Sequence, residues 1–226
     1  QAGYGKYPPI AFQSDQGTVT GYGIEIVDAV MDRMGWTLDY ARYPWKRLYT
    51  EIHQGQLDVG VGLLPTSSRK RHAHYSAPVL IDYDLVIVPA DSDVHVDAIE
   101  DLQGLSLGAI QGFAYPTLEN KPNIDLSRTR SLASNLNKLA LGRVDAVVAS
   151  ALTALPELER RDIGYRIAGA VDRVPLSVVL ADETFDRADL RRLNSAIAEV
   201  RSGSLVKAAA KRHGVAIAMQ DFRMIE

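Results

Sequence analysis

The chain of 226 residues contains no cysteine. That excludes disulfide bonds, thiolate metal sites and a cysteine nucleophile. It suits an oxidising compartment, where a stray thiol is a hazard, although cytosolic chains lack cysteine too. Long apolar runs are missing as well. Val144–Ala149 and Leu176–Ala181 are strand-sized, far short of the roughly 20 residues that span a bilayer. Nor does one charge dominate: basic and acidic residues are interspersed, the formal net charge is −3, and no dense positive face exists to wrap nucleic acid. No Gly-X-Ser-X-Gly elbow, His-Glu-X-X-His helix or phosphate-binding glycine loop occurs. The first residues, Gln1-Ala2-Gly3, do not resemble a leader, which fits a cytosolic protein or an exported one whose signal peptide has been removed.

What is present is the composition of a folded protein, with 46% hydrophobic and 23% charged residues. This length accommodates one large domain or two small ones, and an internal echo favours two. Residues 52–62 read Ile-His-Gln-Gly-Gln-Leu-Asp-Val-Gly-Val-Gly, and residues 139–149 read Leu-Ala-Leu-Gly-Arg-Val-Asp-Ala-Val-Val-Ala. In both, a helical pattern ends on a glycine, Gly55 or Gly142, suited to the left-handed stop of a helix. Asp58 and Asp145 then lead into a short apolar strand.

Around the first copy, periodicity predicts an extended opening at Ile10–Phe12 and a helix over about Gly23–Met34. A strand over Thr37–Tyr43, a helix over Trp45–Gln54 and a strand over Leu57–Gly62 follow. A basic turn near Ser67–His72 leads to an apolar strand at Tyr83–Val88. Around the second copy it predicts strands at Leu105–Ile110 and Val144–Ser150, a helix with Pro116 in its first turn, and another over Ser134–Leu141. A strand at Leu176–Ala181 and amphipathic helices over Arg187–Val200 and Leu205–His213 close the pattern. Alternating strands and helices predict an α/β fold with mostly parallel sheets, in which ligands sit at the carboxyl ends of strands.

Several motifs stand in a telling order. They are Tyr7-Pro8-Pro9-Ile10-Ala11-Phe12, Gly21-Tyr22-Gly23-Ile24-Glu25-Ile26 and Gly55-Gln56-Leu57-Asp58, then Pro65-Thr66-Ser67-Ser68-Arg69 and Tyr75-Ser76-Ala77-Pro78. Asp97-Ala98-Ile99-Glu100-Asp101-Leu102-Gln103-Gly104, Gly142-Arg143-Val144-Asp145 and Gly203-Ser204-Leu205 complete the series. In this order and spacing the chain resembles the family 3 extracellular solute-binding proteins, whose best-known members bind polar amino acids for ABC transporters. The resemblance implies a type II periplasmic binding protein-like clamp: two α/β lobes joined by two crossing strands that close on a ligand. Lobe 1 would be residues 1–89 and 176–226, and lobe 2 residues 90–175. It further implies a periplasmic monomer without cofactor, whose partners are a small carboxylate-bearing ligand and the membrane subunits of an ABC transporter. Two alternatives use the same scaffold: a ligand-sensing segment of a membrane receptor, and a dehydratase of prephenate or arogenate. The dehydratase needs a general acid beside its carboxylate clamp, and Gly23 and Ser150 stand where two candidate acids would be.

The resemblance also assigns ligand-binding residues. Arg69 matches the arginine that holds the ligand carboxylate, and a guanidinium fork suits that role; the competing reading is the solvated run Arg69-Lys70-Arg71-His72. Thr66 and the amides of Gly62 and Leu64 would assist it. Trp45, Tyr7 and Tyr4 would form an aromatic wall, with core packing as the alternative. In the second lobe, Gly112, Phe113 and Ala114 replace a hydroxyl-rich anion cradle. Ser150 replaces an aspartate that pairs with a ligand ammonium, which argues against a plain α-amino acid unless another acid, such as Glu25 or Asp82, reaches the site. His72 and His74 lack a nearby third ligand and read as surface histidines, so no metal site and no catalytic residue is assigned.

Overall fold

The computed structural model describes residues 1–65, 69–111, 113–119, 121–161 and 164–225. It divides into two compact units, Gln1–Ile81 with Pro175–Ala216 and Asp82–Val174 with the chain from Ile217 onward.

The first unit opens with β1 (Ala2–Tyr4), the hairpin β2 (Phe12–Gln13) and β3 (Val19–Thr20), and α1 (Tyr22–Met34). β4 (Tyr40–Arg42), α2 (Trp45–His53) and β5 (Val59–Leu63) follow, and the long β6 (Ala73–Pro89) begins here. α1 buries Ile24, Val27, Val30, Met31 and Met34, the apolar stripe expected of it, and stops at Gly35 with φ 70°. Its first turn sits against the backbone so closely that a Cβ on Gly21 would lie 2.4 Å from the Ile10 carbonyl oxygen. β1 pairs in parallel with both β4 and β5. The sheet strand is therefore Ala2–Tyr4, whereas the expected opening at Ile10–Phe12 contributes only to the hairpin. α2 buries Leu48 and Ile52 against Leu57, Leu63 and Val179. Each such side chain withdrawn from water contributes about 1.5–3 kcal/mol.

The second unit contains β7 (Ser106–Ile110), α3 (Pro116–Glu119), β8 (Asp125–Thr129), α4 (Leu132–Ala140), β9 (Ala146–Ser150) and α5 (Ala151–Arg161). β7 lies parallel to β8 and β9, and β9 pairs antiparallel with Asp84–Ile87 of β6. Val86, Leu102, Leu107, Tyr115 and Val148 fill its core. Gly142 takes φ 62°, as Gly55 does at 65°, so both glycines of the echo are left-handed. Asp145 accepts from the Ser106 amide at 2.7 Å, tying the helix-to-strand junction to β7. α5 runs directly from β9 despite Pro156 inside it, which is why no turn signal marks it in the sequence.

β10 (Tyr165–Ala181) is far longer than the segment Leu176–Ala181 that its apolar run suggests, and its last residues pair antiparallel with β5. α6 (Arg187–Ser202) and α7 (Leu205–Arg212) complete the first unit. The tail beyond them departs from the expected lobe 1. Met224 bridges Ala170, Ile225 joins the core of the second unit, and Arg223 donates to the Val96 and Ala168 carbonyls. Apolar burial and saturated carbonyls hold 217–225 there.

Candidate ligand-binding site

In the first unit, the ends of β1 and β5 and the start of α2 bring three of the expected residues to one small apolar pocket. Tyr7, Trp45 and Gly62 line it with Gly23, Leu80 and Leu176. The Tyr7 and Trp45 rings meet edge to face, 6.3 Å between centroids and 81° between planes. Gly5 makes this possible, because a Cβ there would lie 2.4 Å from the indole. Gly62 takes φ 73°, a conformation that favours glycine. Tyr4 is not part of this wall. It is 1% exposed and packs edge-on against Tyr40, so β1 turns it into the core.

Arg69 is half-buried on a short 3-10 turn and held from two sides. Its Nη1 donates to the Tyr49 hydroxyl at 2.6 Å and to the Leu64 carbonyl at 3.1 Å. Its guanidinium carbon stands 3.6 Å from the Tyr49 ring centroid. Leu64 thus meets Arg69 through its carbonyl rather than the expected amide. Burial pushes the Tyr49 phenol up even against the Arg69 charge, so it remains neutral. Lys70 and Arg71 are exposed. Tyr49 was legible only as an inward-facing helix residue, since nothing local links it to an arginine twenty positions on. Thr66 lies outside the described residues.

In the second unit Gly112 likewise lies outside the described residues. Phe113 is half-buried against the core, Ala114 is exposed, and Arg128 donates to the Phe113 carbonyl at 2.9 Å. Ser150 ends β9 with 3% exposure. Its hydroxyl donates to Asp82 Oδ2 at 2.5 Å, and Asp82 Oδ1 accepts from the Leu152 amide at 3.2 Å and the Tyr83 amide at 2.8 Å. Of the two acids considered as substitutes for an aspartate at position 150, Asp82 is therefore at Ser150 itself. Glu25 is not: within the first unit it pairs with Arg212 and His213, and the Arg212 hydrogen bond holds its carboxyl below the usual range. His74 faces Asp182 at 3.5 Å, and His72 stacks near His53. Among the described residues no three His, Asp or Glu side chains cluster closely enough to hold a metal ion.

The family profile of bacterial extracellular solute-binding proteins, family 3, matches residues 2–216. The L-cystine-binding protein TcyJ of Escherichia coli strain K12 is 24% identical over 212 residues, covering 92% of this chain and 79% of that protein. Among solved structures, an ancestral arginine-binding protein bound to arginine superposes with a TM-score of 0.72 at 20% identity, covering 94% of this chain and 96% of the other. A histidine kinase sensor domain similar to periplasmic binding proteins gives 0.74 at 21% identity, covering 94% of each chain. At such identities the structural likeness establishes the fold alone.

Proposed function

The chain belongs to the family 3 bacterial extracellular solute-binding proteins, and from that premise we propose that it captures a small carboxylate-bearing molecule, an amino acid or a related organic acid, for an ABC importer. The observation that carries this reading is the first unit's pocket. Tyr7 and Trp45 form an aromatic corner beside Gly62, and Arg69 is tethered at Leu64, two residues further on. Aromatic walls supply contact area at little entropic cost, and an arginine pre-set by stacking loses little freedom when it takes up a carboxylate. The names of relatives, among them an L-cystine-binding protein, support an amino-acid ligand. On this reading the protein works by binding and release rather than catalysis, acts outside the cytoplasm as a monomer, and meets the membrane subunits of the transporter. Thr66 and the Gly112–Ala114 segment would add contacts to the ligand.

The test is a thermal-shift screen of the purified protein with amino acids, aromatic acids and plain organic acids. A ligand at a hundred times its dissociation constant adds about 2.7 kcal/mol to stability. A screen in which no carboxylate raises the melting temperature would defeat the proposal. A second reading, a ligand-sensing segment of a membrane receptor, draws support from the likeness to a histidine kinase sensor domain. Stimulation of a cognate transporter's ATPase by the loaded protein separates the two.

A further inference from the structure

Asp82 and Asp84 stand two residues apart on β6, so their side chains leave the same face of the strand. In the antiparallel register with β9, Asp84 lies opposite Ser150. Asp82 is well supplied, accepting from the Ser150 hydroxyl and from the amides of Leu152 and Tyr83. Asp84 is not. It is 6% exposed, yet among the described residues no hydrogen bond or ion pair reaches its carboxyl. Asp172 on β10, bonded to Thr117 at 2.7 Å, adds a third carboxyl whose charge Asp84 feels. Burial, then the charges of Asp82 and Asp172, hold the Asp84 proton well above the ordinary carboxylate range.

A carboxyl buried among carboxyls without a partner calls for an explanation. The lost charge at position 150 suggests one. The hydroxyl that stands there is turned to Asp82, so the negative charge of this corner lies on β6 rather than at the end of β9. The described acids do not cluster as metal ligands do, which leaves an organic cation with N–H donors as the partner that satisfies Asp84. We propose that Asp84, backed by Asp82 and Ser150, is the counter-charge for a cationic group of the ligand, so that the bound molecule carries an ammonium or guanidinium as well as a carboxylate. This rests on the ligand-capture reading above and specifies the ligand class for it.

Four probes of nearly equal length test it: L-arginine, which carries both cationic groups; 5-guanidinopentanoate, which lacks the ammonium; L-norvaline, which lacks the guanidinium; and pentanoate, which lacks both. Titration calorimetry on the native protein should find L-arginine and at least one of the singly cationic probes about tenfold or more tighter than pentanoate. Asp84→Asn, which keeps the shape and removes the charge, should weaken the cationic probes by about ten- to a hundredfold and leave pentanoate unchanged. If pentanoate binds as tightly as the cationic probes, the inference fails while carboxylate capture stands. The same holds if Asp84→Asn, folded by circular dichroism, keeps the preference for cations. If no probe binds, the capture reading and this inference fall together. Should Asp84→Asn not fold, the comparison of the four probes on the native protein decides alone.

Discussion

Arg69 and its neighbours Lys70 and Arg71 carry the same charge in different surroundings. Arg69 is stacked on Tyr49 and bonded to it, while the other two face solvent. Arg69→Ala should therefore weaken ligand binding by roughly 2–5 kcal/mol, the cost of removing one partner of a buried charge pair. Arg69→Lys should recover part of that, because an ammonium cannot reproduce the two-pronged contact. Lys70→Ala and Arg71→Ala should each change it by under about 1 kcal/mol. Calorimetry on the four variants decides, and equal small losses throughout would make Arg69 one more surface charge. Asp84 permits a test that needs no ligand. Its folded state holds the proton at pH values where the unfolded chain has released it, so stability falls as pH rises from the ordinary carboxylate range through the folded value. Asp84→Asn removes this dependence. Denaturant melts of both proteins should show the variant gaining on the native protein as pH rises, and parallel curves would mean that Asp84 titrates normally.

Among the elements, α2 is the most tightly seated, because two glycines let it approach the sheet. A Cβ on Gly3 would lie 2.3 Å from Leu48 Cδ1 and 2.8 Å from Leu57 Cδ1, and one on Gly60 would lie 2.2 Å from Ile52 Cδ1. Gly3→Ala should thus force α2 outward and cost about 1–3 kcal/mol in chemical denaturation. It should also disturb ligand binding, since Trp45 and Tyr49 ride on that helix. Gly35→Ala is a useful contrast. Its Cβ would meet nothing within 4 Å, so any cost there comes from the left-handed backbone alone. α6 depends on a different device. Asp186 accepts from the Ala188 and Asp189 amides, and Asp186→Ala should lower stability by about 1 kcal/mol.

For the whole molecule, the surface sets the expectation. Among the described residues the exposed large hydrophobics are Leu141, Met219 and Met224, too few for an apolar interface of the size that stable oligomers bury. Sedimentation should find a single species near 24.7 kDa with and without ligand, and a dimer at micromolar concentration would contradict the monomer proposed above. Each unit has its own core, and the two long strands β6 and β10 supply residues to both.

Features that depend on a few neighbouring residues could be read from the chain. The apolar stripe of α1, the left-handed Gly55 and Gly142, the α/β alternation and the ordered motifs of the family all follow from local spacing, because helix period and glycine's freedom act within one or two turns. The tertiary structure alone decided what depends on contacts between distant residues. It lengthened β6 and β10 beyond their apolar runs, because strand partners rather than composition set where pairing stops. It also turned Tyr4 into the core and carried the tail beyond Ala216 to the second unit, where Ile225 finds apolar neighbours. Arg69 received its partner from twenty residues away, and Ser150 and Asp82, sixty-eight residues apart, became one hydrogen-bonded pair. A charge's worth depends on what surrounds it, and only packing determines those surroundings.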